Sequence, residues 1–126
     1  MLYSLDRWEH LRLLTELAKS NDFLVANRYT PSGLAYGVAG GLDLGWLRNL
    51  DNGLPKPNDV FVIDVPVNAS LSRKTKRRDI HEKDTRYLTT VRQTYRKLSI
   101  KLGWQVIDGT QSVGEVHRRI VALLEL

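Results

Sequence analysis

Short, mainly apolar runs separated by helical periodicity constrain the fold of this chain more than any other feature. Residues 60–65 read VFVIDV, and two further runs occupy residues 23–26 and 104–107. Such runs are typical of strands that are covered on both faces. Strands alternating with helices require right-handed crossovers, so we predict a three-layer α/β fold with helices on both faces of a parallel sheet.

Helical patterns fill the segments between these runs. Leucine or tryptophan recurs every third residue from Leu2 to Leu17, which predicts one helix of about 17 residues that ends before residues 20–22. Pro31 can begin a short helix that runs through Ala39. Further helices are predicted at residues 44–47, 69–74 and 82–102, and after a capping box formed by Ser112 and Glu115.

Composition narrows the class of protein. The 126 residues are 42% hydrophobic and contain no long flexible linker, so we predict one domain over residues 1–126. The absence of cysteine excludes a disulfide scaffold and a thiolate metal site. No apolar run approaches a membrane span, and Asp6 and Glu9 argue against a secretory signal, so we expect a cytoplasmic protein without a membrane partner. The net charge of +5 favours anionic partners.

The carboxyl ends of parallel strands are where ligands of such sheets gather. The segments that leave the predicted strands there are residues 27–29, 64–66 and 108–110. The charge of Arg28 would be unfavourable at the tip of a buried strand unless it met an anion. Phosphate is a suitable anion, because a planar guanidinium can donate two parallel hydrogen bonds to it. Pairing with a nearby carboxylate is the alternative interpretation.

Four segments resemble the thymidylate kinase family. Residues 27–36 (NRYTPSGLAY) resemble its D-R-Y-x-x-S-x-x-A-[YF] pattern, and residues 53–59 (GLPKPND) resemble its G-L-P-K-P-D linker. Residues 2–9 (LYSLDRWE) are similar to L-F-S-A-N-R-W-E, and residues 104–117 fit W-x-x-[IV]-D-[AG]-x-x-S-[IV]-x-x-V-H. The four segments occur in order and span essentially the whole chain.

The resemblance implies a sheet of the P-loop nucleoside monophosphate kinase type and a homodimer. It also implies the reaction in which ATP and thymidylate (dTMP) give ADP and dTDP with Mg²⁺. Arg28 matches the arginine that holds the acceptor phosphate and stabilises charge during transfer, so it is both a substrate-binding and a catalytic candidate. Tyr3 matches an aromatic that stacks on thymine, and Arg7 an arginine that reaches the base edge.

Three further residues complete the acceptor site that the resemblance implies. Ser32 and Gly33 would line the base pocket, and Tyr36 would pack beside the sugar. The alternatives are a surface role for Tyr3, a solvated Arg7 and a core role for Tyr36.

The donor side is implied by two other segments. Arg73 and Arg77 belong to a basic run at residues 73–78 that corresponds to the family's lid, and they are catalytic candidates. A solvated, nonspecific anion patch is the alternative. In the family, another loop borders the donor's adenine. The matching residues Asp108, Gly109 and Gln111 are cofactor-binding candidates, and so is Arg73.

The chain departs from the family at the donor phosphates. No G-x-x-x-x-G-K-[ST] loop occurs in it, although that loop cradles the donor phosphates and holds magnesium. We therefore expect a truncated form without the first, central strand, which leaves a gap between the strands at 23–26 and 60–65. Asn27 stands where the family has an aspartate, and no metal-binding residue is assigned.

Three functions follow from these patterns. The first is nucleoside monophosphate kinase chemistry in the parent protein, with this chain alone inactive. The second is a nonenzymatic nucleotide-binding or assembly module. A nucleic-acid-binding domain is disfavoured, because no aromatics are interleaved with the basic run as stacking platforms.

Overall fold

The computed structural model describes residues 2–69 and 82–126, with the backbone alone at residues 82 and 83. The chain divides into two compact units, Met1–Asn58 and Asp59–Leu126, and each is treated by itself below. The single domain over residues 1–126 stays a prediction.

The described part of the first unit is helical. Its helices are α1 (Leu2–Glu9), α2 (Leu11–Ser20), α3 (Thr30–Ala39) and α4 (Leu44–Leu50). Proline in the first turn of α3 explains where that helix begins. Asp43 caps the start of α4, and its carboxylate accepts from the Trp46 amide at 2.9 Å. The helices predicted there are confirmed. The buried apolar residues of this unit are Ala35, Leu47 and Leu54.

The predicted single helix from Leu2 is wrong, because His10 separates α1 from α2. His10 has φ −94° and ψ 8°, and the Asp6 carbonyl oxygen lies 3.1 Å from its amide nitrogen and 2.8 Å from its Nδ1. An apolar residue every third position drifts by about 60° per step around a helix of 3.6 residues per turn. The stripe therefore does not stay on one face, and its α1 members Leu2, Leu5 and Trp8 are 80%, 58% and 37% exposed.

The predicted strand at residues 23–26 is also wrong. The segment has no regular secondary structure, and Phe23, Leu24 and Val25 are 60%, 45% and 91% exposed. A strand is stable only where neighbouring strands accept its backbone hydrogen bonds. Within the described residues of the first unit no strand lies beside this segment, and the remaining pairing is an isolated bridge between Asn52 and Leu54.

The second unit contains the predicted parallel strands. β1 (Phe61–Asp64) and β2 (Gln105–Asp108) pair in parallel, with Phe61 opposite Gln105 and Asp64 opposite Asp108. The α/β class and these two strands are confirmed, although each predicted strand differs from the observed one by a residue at its ends. The three-layer sheet stays a prediction, since the described residues form two strands.

Two long helices pack with this sheet. α5 (Glu82–Leu102) lies between the strands in sequence, as predicted, and α6 (Val113–Leu123) follows β2. The Ser112 hydroxyl accepts from the Glu115 amide at 3.2 Å, which confirms the predicted cap. The core of the unit contains Val91, Leu98 and Ile107. Residues 67–69 are helical, and the remainder of the helix predicted at 69–74 lies outside the described residues.

Candidate functional site

The first unit contains a concavity of about 220 Å³ between α1, α3 and α4. Four of the six residues predicted to bind the acceptor nucleotide line it, namely Tyr3, Arg7, Gly33 and Tyr36. The other lining residues are Ser4, Leu34, Gly37, Leu42, Leu47, Leu50 and Asp51. The spacing of Tyr3 and Arg7 by one helical turn places both on the pocket side of α1.

Arg7 is held by a carboxylate that sequence reasoning missed. Its Nη2 donates to both oxygens of Asp51, at 3.1 and 2.9 Å, and the Ser4 hydroxyl donates to Asp51 Oδ1 at 2.8 Å. The side chains of Arg7 and Asp51 are only 12% and 11% exposed. A β-carbon at Gly33 would lie 3.0 Å from Arg7 Nη2, so a glycine at this position leaves room for the guanidinium.

Arg28 is joined to the same pocket through Tyr36. Its Nε donates to the Ser32 hydroxyl at 3.0 Å, and its guanidinium carbon lies 4.6 Å from the centre of the Tyr36 ring. That separation is within cation–π range. Arg28 forms no ion pair with any carboxylate among residues 2–69 and 84–126, so the alternative of a carboxylate partner is not found there.

The backbone at Arg28 is unusual, with φ at 58° in the left-handed region. A non-glycine residue there carries steric strain, which is tolerated when the surroundings fix the conformation. The next residue supplies part of that fixation, since the Tyr29 hydroxyl donates to the Pro55 carbonyl at 3.0 Å. Burial raises the pKa of the Tyr29 phenol, so the hydroxyl keeps its proton for this bond at neutral pH.

All six predicted acceptor residues therefore lie in one contiguous cluster. Their predicted place at the carboxyl end of a strand is wrong, because residues 23–26 form no strand. Their binding roles stay predictions.

Among the predicted donor-side residues, Asp108 ends β2, and Gly109 and Gln111 lie in the loop that follows. Arg73 and Arg77 lie outside the described residues. Asp108 Oδ1 accepts from the Thr110 amide and hydroxyl at 2.9 and 2.6 Å, and these hydrogen bonds lower the pKa of the Asp108 carboxyl. A β-carbon at Gly109 would lie 2.5 Å from Val65 Cγ2, so the fold itself requires glycine there. Gln111 is exposed. Their cofactor role stays a prediction.

A second ion pair missed by sequence reasoning lies at the end of β1. Arg92 of α5 donates to the two carboxylate oxygens of Asp64 at 2.8 and 3.1 Å. The Arg92 hydrogen bond is the largest effect that lowers the pKa of Asp64, and with the charges of Arg92 and Arg96 it outweighs the opposing effects of burial and of the Asp108 charge. The Asp64 side chain is 17% exposed, so solvent screens the pair only partly.

This ion pair predicts how stability depends on pH. Because the folded-state pKa of Asp64 is lowered, its contribution is fully present above the unfolded value of about 3.9 and is lost as pH falls through the folded value. We expect Asp64→Asn to lower the free energy of unfolding at pH 7 by about 1 to 3 kcal/mol and to flatten its decline below about pH 5. Urea unfolding followed by circular dichroism between pH 7 and 2 measures both effects.

The matched control is Asp59→Asn, which removes the same charge at an exposed position of the same unit. Its acid decline should match that of the unchanged chain. An equally steep decline in Asp64→Asn would show that the ion pair does not contribute to acid stability.

The described residues contain no cluster of potential metal ligands. Among them, no group of three His, Asp or Glu side chains could hold a metal. The two carboxylates at the strand ends are engaged, Asp64 by Arg92 and Asp108 by Thr110.

In the part of the chain covered by residues 2–69 and 82–126, no helix has both the length and the apolar character to cross a bilayer.

Comparisons with known proteins agree on one family. The family model described as thymidylate kinase matches residues 1–120. A thymidylate kinase of Plasmodium falciparum is 34% identical over 123 residues, which cover 96% of this chain and 58% of that protein. Probable thymidylate kinases of Thermococcus kodakarensis and Methanocaldococcus jannaschii are each 35% identical, and the matches cover 99% of this chain and 63% and 65% of those proteins.

The chain thus spans about three fifths of the length of these curated relatives. The family match covers the first compact unit, with every acceptor residue in the cluster around the concavity, and residues 59–120 of the second. The chain belongs to the thymidylate kinase family.

Proposed function

We propose that this chain is the acceptor-nucleotide part of a thymidylate kinase and that it binds dTMP in the concavity of the first unit. The observation that carries the proposal is that four of the six predicted acceptor residues line one pocket, while Arg28 joins it through Tyr36 and is bonded to Ser32. In the parent reaction, ATP and dTMP give ADP and dTDP.

Two side chains support a base site and two support a phosphate site. The Tyr3 ring is 80% exposed at the pocket, so its face is available for stacking on a base. Arg7 lies beside it with its charge compensated by Asp51. Arg28 keeps its positive charge uncompensated by a described carboxylate and rests on Tyr36, which suits a phosphate held beyond the sugar.

The donor side of the proposal rests on the resemblance of two segments. Arg73 and Arg77 would act as lid cations that neutralise charge during transfer, and the loop at Asp108, Gly109 and Gln111 would border the adenine of ATP. Magnesium and ATP belong to the parent reaction, and no step through either is assigned to the described residues. A homodimer and a cytoplasmic location stay predictions.

A nonenzymatic nucleotide-binding or assembly module is the second candidate. It is favoured by the lack of a G-x-x-x-x-G-K-[ST] loop in the 126 residues. The same acceptor pocket would then bind nucleotide without transferring phosphate.

Titration calorimetry of the full chain with dTMP and with thymidine tests acceptor binding. We expect both to bind, and we expect Tyr3→Ala to weaken both alike by about 1 to 3 kcal/mol, because stacking involves the base that the two ligands share. The neighbouring Leu2, which is also 80% exposed but does not line the pocket, gives the matched control Leu2→Ala.

Leu2→Ala should leave both affinities unchanged. If the unchanged chain binds neither ligand, the proposed function is wrong. If Tyr3→Ala binds both as tightly as the unchanged chain, the pocket is retained but the stacking role of Tyr3 is not.

A further inference from the structure

We propose that Asp51 is a positioning residue that orients and neutralises Arg7, so that Arg7 donates to a neutral carbonyl of the ligand's base and not to a phosphate. The inference rests on the proposed function, because it specifies how the acceptor pocket chooses its ligand. Asp51 acts through Arg7 and need not touch the nucleotide.

The first support is the geometry of the pair. Asp51 occupies the cap position that ends α4, and both of its oxygens accept from Arg7 Nη2, which fixes that end of the guanidinium. The Ser4 hydroxyl donates to the same carboxylate, so Asp51 is itself held from α1. Since both side chains are nearly nine-tenths buried, little solvent competes for these bonds.

The second support is the set of donors that remain on Arg7. Nη2 is occupied by Asp51, whereas Nη1 donates to no described residue and Nε is buried without a hydrogen-bond partner. Nη1 lies near Gly33, 3.5 Å from where a β-carbon would be, and Gly33 lines the same pocket. The pocket therefore presents a fixed N–H donor that lacks an acceptor from the described protein.

The third support is the contrast between the two arginines. Arg7 and Asp51 together carry no net charge, so they attract an anion weakly, whereas Arg28 has no described carboxylate beside it. A neutral acceptor such as a carbonyl oxygen satisfies Arg7, and the phosphate is left to Arg28. The two arginines thus determine the orientation of the bound nucleotide, with its base at Arg7 and its phosphate at Arg28.

This arrangement predicts a choice between pyrimidines. Thymine presents a carbonyl oxygen at the ring position where cytosine presents an amino group. A donor that faces another donor leaves both without a partner, and sites built around a hydrogen bond reject such analogues strongly. We therefore expect the full chain to bind dTMP more tightly than dCMP, with Asp51 necessary for the difference.

A double-mutant cycle tests the inference. Calorimetry with dTMP and dCMP is applied to the unchanged chain, Arg7→Ala, Asp51→Ala and the double variant. Each single change should weaken dTMP binding about tenfold, a typical effect of one lost hydrogen bond to a charged group, and should shrink the preference over dCMP by a similar factor. The double variant should be no weaker than Arg7→Ala, because Asp51 has nothing left to position.

Two more variants separate positioning from a structural role. Asp43→Ala removes a carboxylate at the other end of α4, outside the pocket lining, and should leave the preference for dTMP over dCMP unchanged. Asp51→Asn keeps an acceptor oxygen for Arg7, so it should retain part of the preference, and it decides the matter if Asp51→Ala does not fold. Circular dichroism of each variant establishes folding.

The outcomes distinguish this inference from the proposed function. If the unchanged chain binds dTMP but Asp51→Asn and a folded Asp51→Ala keep the full preference, Asp51 does not position Arg7. Losses that add in the double variant would likewise overturn the inference and leave the proposed function standing. A chain that does not bind dTMP overturns both.

Discussion

Pure protein of the printed sequence, mixed with ATP, magnesium and dTMP, is expected to release no ADP above background in a coupled assay. Phosphoryl transfer depends on holding the donor phosphates and neutralising their charge. The loop that does so in P-loop enzymes supplies backbone amides, a lysine and a magnesium-binding hydroxyl, and its motif does not occur in the 126 residues. A turnover near 1 per second, the low end typical of kinases, would contradict this expectation.

Two controls make a negative result informative. The thymidylate kinase of Plasmodium falciparum, run in the same assay, establishes that the coupling system detects ADP. Circular dichroism on the same preparation of the present chain establishes whether it is folded, and calorimetry establishes whether it binds dTMP. Binding of dTMP without turnover would agree with a functional acceptor part that lacks its donor site, whereas a folded chain that neither binds dTMP nor releases ADP would contradict the proposed function.

Local patterns predicted most of the helices and strands. Residues 60–65 and 104–107 are short, mainly apolar runs next to turn-forming residues, and parallel strands form at residues 61–64 and 105–108. The run at residues 23–26 has the same local character but no strand beside it in its unit. Strand formation depends on a partner that is remote in sequence, and a local pattern contains no information on whether that partner is present.

The acceptor cluster could be predicted because its residues are close in sequence within matched segments. Ser32 and Tyr36 lie one turn apart on α3, and Arg28, just before that helix, contacts both. Asp51 and Arg92 were missed because their ion pairs join residues 44 and 28 positions apart. In the sequence, Asp51 beside Asn52 and Gly53 has the character of an ordinary turn residue.

Arg28→Ala is expected to weaken dTMP binding by about 1.5 to 3 kcal/mol, the range for a hydrogen bond to a charged group. Thymidine, which has no phosphate, should bind this variant almost as well as it binds the unchanged chain. The physical reason is that Arg28 lies at the Tyr36 side of the pocket with no described carboxylate to compensate its charge. Calorimetry with both ligands measures the difference.

The left-handed backbone at Arg28 offers a matched pair of variants that separates the guanidinium from the stability of the loop. At φ 58°, alanine keeps the steric strain of the native residue, whereas glycine adopts this conformation without it. Arg28→Gly should therefore be at least as stable to urea as Arg28→Ala. Both lack the guanidinium, so both should lose the same affinity for dTMP if the phosphate contact is what matters. If each variant loses as much affinity for thymidine as for dTMP, Arg28 is a structural residue without a phosphate role. The same conclusion would follow if the less stable of the two variants lost more affinity for dTMP than the other.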